Sequence, residues 1–163
     1  MHDLHGTVSH DDGLTLTVTR DLSIPVEELW SWITEPDRTA QWYGPWSGDG
    51  RVGATVQVTM TSEEGSPTMG MRITECSPPH RLGLASEAPP PFAWPLALQC
   101  ATREGGSSIT LHHTQIPAEM SLGDIGPGWE FYLDHLVCAI EGREAPPFED
   151  YVQDLAEPYA SLA

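Results

Sequence analysis

Leu14, Leu16 and Val18 are separated by threonines, the two-residue period of a strand with one buried face. After Pro25 the period lengthens. Val26, Leu29, Trp30 and Ile33 recur at helical spacing, with Glu27 and Glu28 near the positive end of the dipole, so a short helix is predicted to end near Thr34. Pro36 opens a second helical turn through Gln41, which carries Trp42 into a loop rich in Gly and Pro. Alternation then returns in segments 55–61, 69–76, 81–86, 94–102 and 108–114, each separated from the next by Gly- or Pro-containing turns such as Glu64-Gly65-Ser66-Pro67 and Glu104-Gly105-Gly106. An antiparallel meander follows from that order. Val56, Val58, Met60, Met69, Met71, Ile73, Leu82, Leu84, Trp94, Leu96, Leu98, Ile109 and Leu111 would share one face of it.

That apolar face needs a cover, and segment 126–142 offers one. Trp129, Tyr132, Leu133, Leu136 and Ile140 fall on one helical side, Glu130, Asp134 and Glu141 fall on another, and Gly142 supplies the stop. Beyond Pro146-Pro147, residues Phe148, Tyr151, Val152, Leu155 and Tyr159 predict a small extra helix packed on the rest. Residues 1–13 are polar and read as a flexible tail, 14–142 as one domain, and 143–163 as a C-terminal extension.

With 163 residues the chain is long enough for one core of its own. Charge narrows the chemistry further. The chain has 24 Asp and Glu against seven Arg and contains no Lys, which removes Schiff-base and phosphate-loop lysine chemistry. A formal charge of −17 with no basic run leaves no footprint for nucleic acid and disfavours anionic membrane surfaces. No stretch reads as a secretory signal or a membrane span, and Cys76, Cys100 and Cys138 lack C-x-x-C spacing, so reduced thiols in a cytoplasm are expected.

Gly48-Asp49-Gly50-Arg51-Val52-Gly53 spells the dinucleotide glycine pattern, but a helix precedes it and a strand follows, the reverse of what phosphate binding needs. It reads as a turn. His112 and His113 are adjacent on a strand, point to opposite faces and cannot chelate one ion together; His2, His5 and His10 sit in the polar tail, and no metal or cofactor is expected. By the alternation His113 joins Leu111 on the concave face, where it could act as acid or base or be satisfied within the core.

The words Arg20-Asp21-Leu22-Ser23-Ile24-Pro25-Val26-Glu27-Glu28-Leu29-Trp30, Glu35-Pro36, Gln41-Trp42, Arg51-Val52-Gly53, the run from Ile73 to Leu82, the run from Ile109 to His113, and Gly128-Trp129 stand in an order that resembles the START-like superfamily of polyketide cyclase/dehydrase and lipid-transport proteins. Within it the chain is similar to the group homologous to the activator of heat-shock protein 90 ATPase. The resemblance implies an α+β helix-grip fold: a curved antiparallel sheet of about six strands wraps a long C-terminal helix, with two short helices after the first strand. It also implies a cavity between sheet and helix for a hydrophobic small molecule. No counterpart of the separate N-terminal domain of the eukaryotic co-chaperone is expected from these residues, so a chaperone-activating role is not the first expectation.

Three functions follow as expectations. The first is binding of a small hydrophobic or amphipathic ligand at Trp30, Met60, Met71, Trp94, His113, Trp129 and Tyr132. The second is a cyclase- or dehydratase-type enzyme using His113, with Tyr132 or Trp94 orienting an aromatic ring. The third is an interaction module that regulates a chaperone or another protein through the acidic surface and the C-terminal helix; a homodimer or a protein partner is also a possible assembly.

Overall fold

A computed structural model describes residues 2–11, 13–89 and 92–162. The chain runs through β1 (Thr7–Ser9), β2 (Leu14–Leu22), α1 (Val26–Thr34), α2 (Pro36–Thr39), β3 (Trp46–Ser47), β4 (Thr55–Thr59), β5 (Thr68–Ser77), β6 (Arg81–Ser86), β7 (Pro95–Arg103), β8 (Gly106–Ile116), α3 (Leu122–Glu141) and α4 (Phe148–Ala160). All strands form one antiparallel sheet in the order β1-β2-β8-β7-β6-β5-β4-β3. This is the α+β helix-grip arrangement, with eight strands where about six were expected. The two additions are short: β1 has three residues and β3 two, and neither carries a run of apolar alternation.

The N-terminal segment, expected to be a flexible tail, contains β1, which pairs with β2 through Thr7↔Thr17 and Ser9↔Thr15. Ahead of that strand, the backbone N–H of His2 donates to Asp154 and that of His5 to Glu130, so these residues run along α3 and α4. β2 pairs with β8, the last strand, and α1 and α2 then carry the chain towards β3 at the far edge, α1 touching β7 and β8 on the way.

Leu16 and Val18 of β2 are fully buried, as the alternation requires, with Leu98, Cys100, Ile109 and Leu111 on neighbouring strands. A bulge between Ile73 and Glu75 shifts the phase of β5, so Cys76, opposite Leu82, takes the next inward position instead of Glu75.

α3 begins at Leu122, earlier than the sequence suggests. Gly123, Gly126, Pro127 and Gly128 read locally as a turn, but Ser121 caps the helix by accepting the N–H of Gly123 at 3.1 Å. Gly126 is required by a close approach: any side chain there would run into the Tyr159 ring of α4. The helix stops at Gly142, whose φ of 70° is left-handed. Among the described residues no helix is long and apolar enough to cross a membrane.

Candidate functional site: a hollow between the sheet and the long helix

α3 is anchored at one side of the sheet. Arg20 follows Leu16 and Val18 on the inward face of β2, and its guanidinium donates through Nε to Asp134 at 2.7 Å and through Nη2 to Glu130 at 2.5 Å. Glu130 is completely buried, although helical periodicity put it with Asp134 and Glu141 on a side away from the apolar stripe. It also accepts from the Tyr159 hydroxyl and the His5 backbone N–H, both at 2.7 Å, while Tyr151 donates to Asp134 at 2.7 Å. Burial opposes the charge on Arg20, but the Asp134 charge and the bonds to Glu130 and Asp134 outweigh it, and the net shift is upward. The Tyr151 and Tyr159 hydroxyls are raised by burial first and by their carboxylate partners second.

This network holds α3 against β2, and the helix stands off from the strands beyond it. The gap is a cavity of about 340 Å³. Its walls are Leu82, Leu84, Leu96, Leu98 and Leu111 from the sheet, Met71 and Ile73 from β5, Val56 and Val58 from β4, and Trp129, Tyr132 and Leu133 from α3. Trp30, Ile33 and Thr34 of α1, Thr39 of α2, Trp42 and Tyr43 of the following loop, and Trp46 of β3 complete the lining. Cys76 is also on the wall.

Of the seven residues expected at a ligand site, Trp30, Met71, Trp129 and Tyr132 line the cavity, whereas Met60, Trp94 and His113 do not. Met60 lies just past β4, buried, with its sulfur accepting from the Tyr43 hydroxyl at 3.7 Å. Trp94 precedes β7, and its ring lies 4.6 Å from that of His113. His113 is fully buried behind Trp129, whose indole N–H donates to His113 Nδ1 at 3.1 Å. Nδ1 is therefore unprotonated and the proton sits on Nε2, which has no hydrogen-bond partner among the described residues. Burial pushes the imidazole down to about 4. His113 is thus a neutral group that holds the Trp129 indole and lies outside the cavity lining.

His112 faces the other way, as expected, and shares a hydrogen bond with Thr17 at 3.2 Å. Tyr43, Trp46 and Cys76 were not expected at the cavity. The density of aromatic residues in Trp42-Tyr43-Gly44-Pro45-Trp46 was the available signal for the first two, whereas Cys76 depends on a bulge that alternation does not reveal.

The cavity's hydroxyls are engaged. Tyr132 donates to Glu63 at 2.7 Å, and Tyr43 stacks at a tilt on Tyr132 with ring centroids 4.6 Å apart. Both phenols are raised, by burial and then by Glu63.

The profile of the Activator of Hsp90 ATPase homolog 1-like proteins matches residues 23–141. The chain belongs to this family. With it comes the START-like superfamily, whose helix-grip fold supports a ligand-binding or cyclase-type function in general. Among solved structures, CalU16 from Micromonospora echinospora is 26% identical with a TM-score of 0.76, over 96% of this chain and 94% of that one. DynU16, from the dynemicin biosynthetic locus, is 20% identical with a TM-score of 0.69, over 82% of this chain and 49% of the other. The Aha1 dimer from Colwellia psychrerythraea is 17% identical with a TM-score of 0.67, over 78% and 96%. The last two likenesses speak to the fold alone. No curated protein is significantly similar to the chain.

Proposed function

We propose that this protein binds a small hydrophobic or amphipathic molecule in the cavity between the sheet and α3. The observation that carries this reading is the cavity itself. Its 340 Å³ falls in the roughly 300–1,000 Å³ range of small-molecule sites, and its walls are aliphatic and aromatic with a few hydroxyls. Leaving so much apolar wall without packing partners forgoes on the order of several kcal/mol, a large share of a domain's stability. A hollow of that cost is readily understood if an occupant fills it. Chemistry by His113 finds no support in the geometry, since that residue lies outside the cavity.

The test uses Nile red, an uncharged dye that brightens in apolar surroundings, together with native mass spectrometry of the purified protein. Saturable brightening at about one dye per chain is expected, and so is its loss in Leu84→Trp, which fills the cavity from β6, provided the variant keeps its circular dichroism. Brightening that survives in the folded variant would place the dye elsewhere and sink the proposal.

A further inference from the structure

Among the described residues, the cavity wall carries hydroxyls but no cation. All seven Arg of this Lys-free chain lie off the wall. Arg20 is spent on Glu130 and Asp134, Arg38 bonds Ser31 and lies over the Trp32 ring, and Arg51, Arg81, Arg103 and Arg143 pair with Asp49, Glu75, Asp21 and Glu141. Arg72 lies on β5 between Met71 and Ile73, so it projects from the opposite face and is exposed. No His lines the wall either.

The hydroxyls there already give their protons to the protein. Thr34 donates to the Trp30 carbonyl at 2.8 Å, Thr39 to the Pro36 carbonyl at 3.2 Å, Tyr43 to the Met60 sulfur and Tyr132 to Glu63. The indoles of Trp42, Trp46 and Trp129 donate to the Trp32 carbonyl, the Thr34 carbonyl and His113. What remains for an occupant is mainly the lone pairs of hydroxyl oxygens, which accept. The fixed charge beside Tyr132 is negative, because Glu63 reaches it from the β4–β5 turn.

We infer that the cavity selects an uncharged apolar molecule whose polar group donates a hydrogen bond, as a phenol or alcohol does, and rejects carboxylates. A carboxylate would enter an apolar hollow without a cation, beside Glu63, where most of the wall's donors are already engaged. Burying a charge without a partner is far more costly than burying a hydroxyl that finds one. The indole N–H of Trp30, a neutral donor, does not offset a full charge.

This inference rests on the cavity being the binding site, and the experiment separates the two. Nile red bound to the protein at pH 7 is displaced by 2-naphthol and by 2-naphthoate, which share a ring system and differ in the group carried. The naphthol is expected to displace the dye at a concentration at least about tenfold below that needed of the naphthoate, a gap of about 1.4 kcal/mol. Glu63→Gln, which removes the charge and keeps an acceptor in an exposed turn, is expected to narrow the gap. Equal displacement by both compounds, or none by the naphthol, overturns the selectivity while the cavity reading stands. A gap that E63Q leaves unchanged overturns the part given to Glu63. Failure of Nile red to bind defeats the cavity reading first and the selectivity with it.

Discussion

The two sides of α3 have been built to opposite specifications. Towards α4 the helix is closely filled: Gly126 admits the Tyr159 ring, Phe131 meets Tyr151 edge-on at 5.8 Å, and Glu130 and Asp134 are bonded to Arg20 and two tyrosines. Towards the sheet, one turn away, Trp129, Tyr132 and Leu133 look into unfilled space. A hollow survives only where something rigid keeps its walls apart, because close packing is the default of protein interiors. The closely filled side supplies that rigidity and fixes α3 to β2. Buried charge, usually a weak contributor to net stability, is here a means of setting position.

The contrast is most directly broken by Glu130→Ala. Arg20 would be left buried without one of its two carboxylates, and a loss of about 3–5 kcal/mol is expected in urea unfolding. Nile red brightening should fall in the molecules that remain folded, since α3 loses its hold on β2. Undiminished stability would show that the filled side does not carry the structure.

Acid provides the next largest effect. His113 is held neutral down to about pH 4 against an ordinary value of 6.5, so between those limits the unfolded chain binds the extra proton. Its contribution is complete above pH 6.5 and is lost as pH falls towards 4, an amount of about 3 kcal/mol at most. Urea midpoints across that window should fall more steeply for the wild type than for H113Q. Parallel profiles would mean that the imidazole is not buried as described.

A pair of enlargements gives the smallest and sharpest comparison. Gly126→Ala adds one methyl on the filled side and is expected to cost about 1–3 kcal/mol. Leu84→Trp adds far more volume on the hollow side and should change stability by less than about 1 kcal/mol, because it displaces no packed neighbour. Thermal unfolding of the two would reverse this ranking if the cavity were closed in solution.

Much of this was legible in the sequence. Alternation located the five strands of the meander and most inward positions, since a sheet with one buried face enforces a period of two. Four cavity residues followed from it together with the helical spacing of Trp30, Trp129 and Tyr132. β1 escaped because strand pairing there is a matter of backbone, Thr7-Val8-Ser9 having no apolar pattern. Glu130 escaped because a charge on a helix reads as solvated unless its partner is known, and Arg20 lies on a strand 110 residues earlier. His113 was rightly turned inward, but the distance from an inward position to the cavity depends on Trp129 standing between them.

The bulge in β5 has a practical corollary. By turning Cys76 inward it leaves the protein with one partly accessible thiol on the cavity wall, while Cys100 and Cys138 are buried and burial raises both, Cys100 to about 12. Thiol alkylation is therefore site-selective without mutagenesis. A single native reporter atom sits inside the cavity, where a fluorine label would register the arrival of an occupant directly.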